Sequence, residues 1–241
     1  MQRIIAWARW PIWALARLLL LTVSPFQLLV DRGPVTHQLM IAEGLRRMGK
    51  TPNASLLIAK EKELLAGVAW ADTGWKNITH YYHPQKKKGL LLFPSAFLYY
   101  KQYLEKAKRL AKRGKWGKAA FYLGAAAHLL QDMCVPHHAT GHVFFGHREF
   151  ETWAAPKAAK LVRQGTKTIL PSDAEGLFQC VVEESAAFFA LVKGETEAGY
   201  TQAAKVLLPL AAEATGKFFV AFAASLNETD ADLPVRLVAS K

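Results

Sequence analysis

Residues 128–151 read HLLQDMCVPHHATGHVFFGHREFE and hold five of the eight histidines of the chain. His128 and Asp132 lie four positions apart in an Ala- and Leu-rich run, and His147 and Glu151 repeat that spacing. Because an α-helix has 3.6 residues per turn, each pair presents an imidazole and a carboxylate on one helix face, one turn apart. The two pairs therefore predict two helices that direct metal ligands toward a common point.

The donor atoms in this stretch are imidazole nitrogens and carboxylate oxygens, without a Cys-x-x-Cys motif. His138 follows a proline between the two pairs, where a turn can direct it toward either one. This donor set favours a catalytic zinc site, and less specifically manganese, iron or cobalt. A surface hydrogen bond would explain a single His–Asp pair, but two pairs with a histidine between them favour a metal site. His137 and His142 are expected to be exposed or to lie behind the ligands.

Two upstream segments carry further potential ligands. Asp72 ends the apolar run LLAGVAWAD, and His80 follows it with His83 close behind. His37 stands at the start of a predicted helix, after a Gly-Pro pair. Read alone, His37 is a helix-capping or core residue, and it becomes a candidate ligand only if it converges on the others.

Helical periodicity dominates the chain, and no run alternates with the period of a strand. The length of 241 residues suits one domain, and a hydrophobic content of 51% excludes a disordered chain. We predict an all-α single domain of about seven to nine helices. Asn53 and Ser95 are candidate N-caps. The predicted helical runs are 35–48, 53–72, 95–113, 117–133, 149–165, 172–193 and 199–226.

Residues 1–30 form an apolar N-terminal segment that we separate from a domain at 31–241. The segment is rich in Trp and carries Arg3, Arg9 and Arg17. Its uncharged run at 18–30 is too short to span a bilayer, which needs about 20 apolar residues. An interfacial helix is the favoured reading, ahead of a signal peptide or a helix packed on the domain. We expect membrane association, on either the exported or the cytoplasmic side.

The net charge of +12 favours anionic partners such as phosphate, nucleic acid or an acidic membrane face. A solvated helix face and turn would explain the same cations equally well. The two cysteines exclude a disulfide framework, and they are expected to be small buried side chains, although they could pair. Much of the positive charge is local, at Lys86, Lys87, Lys88, Lys101, Lys106, Lys108, Arg109, Lys112, Arg113, Lys115 and Lys118.

The central motif resembles the bacterial zinc-dependent phospholipase C family, which includes the clostridial alpha-toxin catalytic domain. The shared features are YLG at 122–124, the His128–Asp132 pair, Pro136, His138 and GHREFET at 146–152. Upstream, THQLMIAEG at 36–44 is similar to the family's first histidine-bearing helix. AGVAWAD at 66–72 and HYYHP at 80–84 resemble the segment that supplies an aspartate and then a histidine. The resemblance covers roughly residues 35–155, and fungal single-strand zinc nucleases share this fold and ligand order.

The resemblance implies an all-α domain of the phospholipase C and zinc nuclease type that binds a cluster of zinc ions. It also makes Asp72 the candidate catalytic general base. In that arrangement one ion is held by Asp72, His80, His128 and Asp132, a second by His138, His147 and Glu151, and a third by His37 and Asp132 with the N-terminal residue.

The chain departs from the family pattern just before His37. In the family, maturation exposes a tryptophan whose amine and carbonyl bind the third ion, but residues 24–36, SPFQLLVDRGPVT, contain no Trp. Cleavage could expose another residue, a side chain such as Asp31 could substitute, or the third site could be weak or empty. We therefore expect two to three Zn²⁺ ions.

The favoured function is zinc-dependent hydrolysis of a phosphodiester bond in a phospholipid, by a bacterial phospholipase C. An anionic membrane surface is the expected partner, and no protein partner is inferred. One alternative is a nuclease-type phosphodiesterase of the same fold, with nucleic acid as its substrate. Trp75, Tyr81, Tyr82 and Trp116 would then stack on bases. The other alternative is a non-catalytic metal-binding protein of the membrane surface.

Overall fold

The structure, a computed structural model, describes residues 35–51, 53–90, 92–143 and 146–227, without the side chain of Trp75. Within these ranges the chain forms ten α-helices, one 3-10 helix and no named strand, which confirms the all-α prediction. The only pairing of strand type there is an isolated bridge between His83 and Lys88. The N-terminal segment at 1–30, with its predicted interfacial helix, lies outside the described residues.

The helices follow one another with short connections. In chain order they are α1 (Val35–Met48), α2 (Ala54–Ile58), α3 (Glu61–Ala71), the 3-10 helix η1 (Gly74–Thr79), α4 (Ala96–Lys112), α5 (Trp116–Asp132), α6 (Pro136–Thr140), α7 (His147–Leu161), α8 (Ala174–Ala186), α9 (Phe189–Lys193) and α10 (Glu197–Ser225). Seven of them match the predicted runs. The other three α-helices have only five residues each, so the total exceeds the expected seven to nine.

Two of the predicted runs are interrupted. The run at 53–72 breaks at residues 59–60, and the run at 172–193 breaks at 187–188. In the first case the two pieces pack on different neighbours, α2 on α1 and α3 mainly on α5. The apolar pattern did not reveal either break because both pieces keep helical spacing.

The two N-cap predictions have different outcomes. Ser95 caps α4, and its hydroxyl oxygen accepts a hydrogen bond from the Leu98 N–H at 3.4 Å. Asn53 precedes α2 as predicted, but it has a left-handed backbone conformation and its side chain makes no capping hydrogen bond. Only the first prediction is therefore confirmed in full.

Helix α5 is the central element of the fold, and α3 and α4 pack along it. Residues 123–132 of α5 are all buried. Helix α3 approaches α5 closely because both contribute glycine at the crossing. A Cβ atom on Gly67 would overlap the Phe121 carbonyl, and one on Gly124 would overlap the Leu64 carbonyl. This crossing places the end of α3, and Asp72 after it, beside the C-terminal half of α5.

Helix α10 packs along α1 and forms the other side of the core. It is the one helix of the described ranges that is long and apolar enough to cross a membrane, judged by length and composition alone. Its apolar window has a mean hydropathy of 1.5, but 72% of that window is buried inside the protein. Helices at the centre of a packed domain have the same properties, so this observation is weak evidence for a membrane span.

A network of charged side chains joins α1 to α10 and to the end of α7. Glu43 is buried and accepts hydrogen bonds from Arg46 at 2.6 Å and from Arg47 at 3.0 Å. Arg47 also pairs with Glu213 and donates to the Val162 carbonyl at 2.8 Å. The Arg46 hydrogen bond, against the opposing effect of burial, lowers the pKa of Glu43.

The two cysteines have different environments. Cys134 is buried and Cys180 is partly buried, and both are free thiols. The pairing that the sequence left open is absent, and burial raises the pKa of the Cys134 thiol. Neither residue belongs to the site described next.

Candidate metal centre

Every residue that the sequence singled out as a candidate metal ligand lies near the C-terminal end of α5. The candidates come from six parts of the fold: α1, the end of α3, the end of η1, α5, α6 and α7. They form three groups in which one ligand atom per residue lies within 4.8 Å of the others. These groups are His37, His128 and Asp132; Asp72, His80 and His128; and His138, His147 and Glu151.

Asp132 belongs to the first group, lies beside the second and is only 3% exposed. Its Oδ2 atom is 2.8 Å from His80 Nδ1 and 3.3 Å from His128 Nε2. Its Oδ1 atom faces the other way and lies 3.5 Å from His37 Nε2. Burial alone would raise the pKa of Asp132, but its interactions with the neighbouring imidazoles, His128 first, outweigh burial and hold the pKa well below its ordinary value. The carboxylate is therefore ionised, with one oxygen toward each group.

The third group lies on α6 and α7. His147 Nε2 is 2.8 Å from His138 Nε2, and Glu151 Oε1 is 3.2 Å from His147 Nε2 and 3.8 Å from His138 Nε2. Burial opposes ionisation of Glu151, but its interactions with the imidazoles of His138 and His147 outweigh burial and lower its pKa. One helical turn separates His147 from Glu151, as the spacing predicted.

Three of these histidines have the second ring nitrogen held by a carbonyl oxygen. His80 Nε2 lies 3.1 Å from the Ala71 carbonyl, His138 Nδ1 lies 3.1 Å from the His80 carbonyl, and His37 Nδ1 lies 2.9 Å from Gln131 Oε1. A carbonyl oxygen only accepts, so each of these nitrogens carries the proton of the neutral ring. The lone pair of each ring then lies on the nitrogen that faces the carboxylates, as in histidines that bind metals.

The donor set fits a transition metal, and zinc in particular. His128 has both ring nitrogens buried without a hydrogen-bond partner, and Asp132 Oδ2 is also without one. Buried polar atoms in native proteins nearly always have partners, so unpaired atoms that face one another call for an ion. Imidazole nitrogen and carboxylate oxygen are the ligands found in catalytic zinc sites.

Electrostatics favours metal-binding protonation states at two of the histidines. Burial is the largest influence on the pKa of His37 and of His80, and it lowers both. A low pKa keeps the imidazole neutral, which is the form that coordinates a metal. Burial acts in the same direction on His128, but the charges of Asp132 and Asp72 outweigh it and raise the pKa of that residue.

The remaining histidines are outside these groups. His137 is 1% exposed, packs against Phe189 and lies 5.8 Å from the ring of His147. Burial, and then the charge of His147, lowers its pKa to about 4, so it is a neutral residue behind the ligands, one of the two predicted places. His142 is exposed and stacks on Phe189. His83 lies in the turn that it shares with Lys88.

The aromatic residues considered for base stacking are largely inaccessible. Tyr82 is 2% exposed and packs between Phe97 and Phe178 in the core. Tyr81 is 6% exposed and packs on the ring of His138 at 4.7 Å. Trp116 is partly buried against the core, and the side chain of Trp75 lies outside the description. Tyr81 and Tyr82 therefore provide almost no surface for stacked bases, whereas Trp116 keeps a partly exposed ring.

One residue of the centre has no counterpart in the sequence interpretation. Gln131 orients His37, yet its position next to Asp132 puts it off the face defined by the His-x-x-x-Asp spacing. No sequence pattern marks it, because its role depends on contacts with two other helices.

Sequence comparison identifies the family to which this chain belongs. The profile of the family described as zinc dependent phospholipase C matches residues 36–193, and the chain belongs to that family. A comparison with curated proteins found no match.

Solved structures of two toxins have the same fold. The alpha toxin from Clostridium absonum superposes with a TM-score of 0.70 at 16% identity, covering 82% of this chain and 66% of the toxin. The Clostridium perfringens alpha-toxin isolated from avian strain SWCP superposes with a TM-score of 0.63 at 20% identity, covering 81% of this chain and 65% of the toxin. The matched region thus spans about two thirds of the length of each toxin.

Proposed function

We propose that this protein is a zinc-dependent phosphodiester hydrolase that acts on phospholipids, a phospholipase C. The strongest support is the arrangement at Asp132, a buried carboxylate with one oxygen toward His37 and the other toward His80 and His128. Such an arrangement suits a residue that bridges two ions. Membership of the zinc dependent phospholipase C family favours the same class of reaction.

The proposed ligand sets follow the three groups of side chains. His138, His147 and Glu151 would hold one ion without help from the rest of the centre. Asp132 would join two further sites, one completed by Asp72, His80 and His128 and the other by His37. Neither the His138, His147 and Glu151 set nor the set completed by Asp72, His80 and His128 needs an N-terminal residue, so two ions are the minimum that the proposal requires.

When bound, zinc acts as a Lewis acid toward a phosphate oxygen and lowers the pKa of a coordinated water molecule. Three carboxylates do not neutralise two or three divalent cations, so the loaded centre attracts an anionic phosphodiester. Asp72 is 38% exposed, whereas Asp132 is 3% exposed. This exposure suits Asp72 Oδ1 to accept a proton from the attacking water. Asp132 and its histidine neighbours would bind the cations of the centre.

A lipid substrate is favoured by the loop that leaves the centre after Tyr82. Hydrogen bonds hold both ends of the loop near the site. At one end the Tyr82 N–H donates to the His138 carbonyl at 2.9 Å, and at the other the Ala96 N–H donates to the Tyr81 carbonyl at 3.1 Å. Leu92 on this loop is 56% exposed, and Leu98 in the first turn of α4 is 46% exposed. Lys86, Lys87 and Lys88 are exposed at the tip. Cations beside exposed leucines suit the headgroup region of an anionic membrane.

The nuclease alternative has less support from the structure. Base stacking requires exposed aromatic rings in a basic groove, and Tyr81 and Tyr82 are both buried. The non-catalytic alternative predicts metal binding without turnover. Both alternatives remain measurable outcomes of the same experiment.

The test combines elemental analysis with a substrate panel. We expect two to three zinc equivalents per chain and zinc-dependent release of phosphocholine from a phosphatidylcholine analogue. The panel also contains a bis-nitrophenyl phosphate, a nucleotide and a single-stranded oligonucleotide. Preferential cleavage of the oligonucleotide would establish the nuclease alternative, and bound zinc with no cleavage of any substrate would establish the non-catalytic one. Less than one zinc per chain after reconstitution would overturn the metal centre itself.

A further inference from the structure

We infer that Gln131 and Thr215 form a clamp that holds His37 with its proton on Nδ1 and its Nε2 lone pair toward Asp132. This inference rests on the proposed function, since it concerns the cation that His37 and Asp132 would share. Gln131 lies on α5 and Thr215 on α10, so the clamp joins the two halves of the core. Neither residue would contact the cation, and both would act through His37.

The direction of each hydrogen bond in the clamp follows from the Ala211 carbonyl, which can only accept. The Thr215 hydroxyl donates to the Ala211 carbonyl at 2.7 Å, since a carbonyl oxygen cannot donate. Its oxygen is therefore available only as an acceptor toward Gln131, whose Nε2 donates to it at 3.1 Å. That contact fixes the orientation of the Gln131 amide, which would otherwise be free to turn over. Gln131 Oε1 then faces His37 Nδ1 at 2.9 Å and accepts its proton.

The consequence for His37 is a defined tautomer. With the proton on Nδ1, the lone pair lies on Nε2, and this atom is 3.5 Å from Asp132 Oδ1. The ring of His37 also packs on that of His128 at 4.3 Å between centroids, which restricts its position.

The clamp is buried and closely packed. Gln131 is 1% exposed and Thr215 is fully buried. A Cβ atom on Gly44 of α1 would lie 2.6 Å from Thr215 Cγ2, so α1 packs directly against the threonine. Water therefore competes little for these hydrogen bonds. The Thr215 bond fixes the orientation of the Gln131 amide, which in turn fixes the ring of His37.

The clamp differs from the way the other two oriented histidines are held. His80 and His138 donate to main-chain carbonyls, which no side-chain substitution removes. His37 depends on a side chain, so a substitution can remove its orienting partner. An imidazole that is already oriented loses less conformational freedom when it binds an ion.

Zinc affinity gives the first measurement, by competition with a chelator on the reconstituted full chain. Gln131→Met removes both hydrogen bonds while keeping the length of the side chain, and we expect about ten- to hundred-fold weaker binding of one zinc ion. Thr215→Val removes the hydroxyl at similar volume and should weaken the same ion by a smaller factor. Gln131→Glu retains an acceptor for His37 Nδ1 and should preserve the affinity. Gln102→Met, on the exposed face of α4, is the matched control.

Nitrogen-15 NMR of the histidine rings gives the second measurement and does not depend on enzymatic activity. Wild-type protein should show the His37 proton on Nδ1, and Gln131→Met should lose that preference. A His37 proton on Nε2 in wild type, or unchanged zinc affinity in a folded Gln131→Met protein, would overturn the clamp while the proposed function stands. Failure of wild type to bind zinc at all would instead overturn the proposed function, and the NMR result would still decide the tautomer.

Discussion

Asp132 is the residue on which the centre depends most. Its two carboxylate oxygens face different imidazoles, and its nearest neighbours come from α1, α5 and the end of η1. Glu151 resembles it in charge and in its i+4 relation to a histidine, but within the described residues its ion pairs are with His138 and His147 alone. The two carboxylates therefore offer a matched comparison between a bridging residue and a residue of one site.

Asp132→Asn is expected to lose more zinc than Glu151→Gln. The amide keeps the size of the side chain but removes a negative charge, which weakens two sites at once, whereas Glu151→Gln weakens one. Elemental analysis should find a loss of up to two equivalents in the first variant and up to one in the second. Hydrolysis of a phosphatidylcholine analogue should be abolished in Asp132→Asn.

Glu149→Gln is the control for these variants, because it removes an exposed carboxylate on the same helix, two positions before Glu151. It should retain zinc and activity. Equal zinc contents in Asp132→Asn and Glu151→Gln would argue against bridging. Full activity in Asp132→Asn would contradict the proposed enzyme.

At the scale of helices, the crossing of α3 and α5 decides whether Asp72 reaches the centre. The two glycines at this crossing let the backbones approach more closely than any side chain would allow. The His128 Nε2 to Asp72 Oδ1 distance of 3.8 Å depends on that approach. The position of one candidate ligand is thus set by residues that carry no functional group.

Gly124→Ala should separate α3 from α5 and damage the centre. The new methyl group would overlap the Leu64 carbonyl, and overpacking of this kind costs about 1–3 kcal/mol in the free energy of unfolding. Thermal unfolding and zinc content should both fall. Gly117→Ala on the same helix meets only Glu63 Oε1 at 3.4 Å, and it should be neutral or stabilising by up to about 1 kcal/mol. Wild-type stability in Gly124→Ala would refute the tight crossing.

The contact between α1 and α10 should make stability depend on pH through Glu43. Hydrogen bonds from Arg46 lower the pKa of Glu43 below its ordinary value of 4.5. A lowered pKa means that the folded protein favours the ionised group. The stabilisation is therefore complete well above pH 4.5 and is lost as the pH falls from that value through the pKa of the folded state.

Chemical unfolding of wild type and Glu43→Gln at several pH values tests this dependence. The variant should be less stable by about 1–3 kcal/mol at pH 7, the usual loss for hydrogen bonds to a charged group. The difference should shrink as the solution becomes acidic. Glu183→Gln, at an exposed position on α8, is the control and should follow wild type at all pH values. A difference that does not change with pH would contradict the proposed linkage.

At the scale of the whole molecule, two local groups of basic residues lie on separate surfaces. Lys86, Lys87 and Lys88 lie on the loop whose ends contact the centre. A second group lies where α4 ends and α5 begins. Because α5 rises 1.5 Å per residue, that group is about 24 Å from Asp132 along the helix. Of these two groups, the loop is the one whose ends contact the centre, so it is the candidate for bringing a lipid surface to the site.

Replacing the three loop lysines with glutamine should weaken binding to vesicles that contain phosphatidylserine. Each basic residue near an anionic surface contributes about 1 kcal/mol, so the loss should approach a hundredfold and should diminish at high salt. Zinc content should be unchanged. Cosedimentation with vesicles measures the binding.

The control for this variant removes the same charge from the other surface, by replacing Arg113, Lys115 and Lys118 with glutamine. An equal loss of vesicle binding in both triple variants would show that net charge, not the loop, determines the interaction. No loss in either variant would assign membrane binding to another part of the chain, of which residues 1–30 are the sequence-based candidate.

The sequence by itself determined the fold class, the family resemblance and the eight candidate ligands. Helical periodicity and i+4 spacing are local properties, so the pairing of His128 with Asp132 and of His147 with Glu151 could be read directly. The same locality explains the errors. The breaks after residue 58 and after residue 186 leave the apolar pattern intact, and the burial of Tyr82 among Phe97 and Phe178 is invisible in a linear sequence.

Only the tertiary structure decided how these residues act on one another. The approach of Asp72 to His128 required the glycine crossing of α3 and α5. The orientation of His80 required the Ala71 carbonyl, and that of His37 required a glutamine and a threonine from two other helices. Such contacts join residues far apart in the chain, and they form only when helix packing fixes distance and direction together. A sequence pattern specifies neither quantity, which is why the candidate ligands could be named from the sequence and their orientation could not.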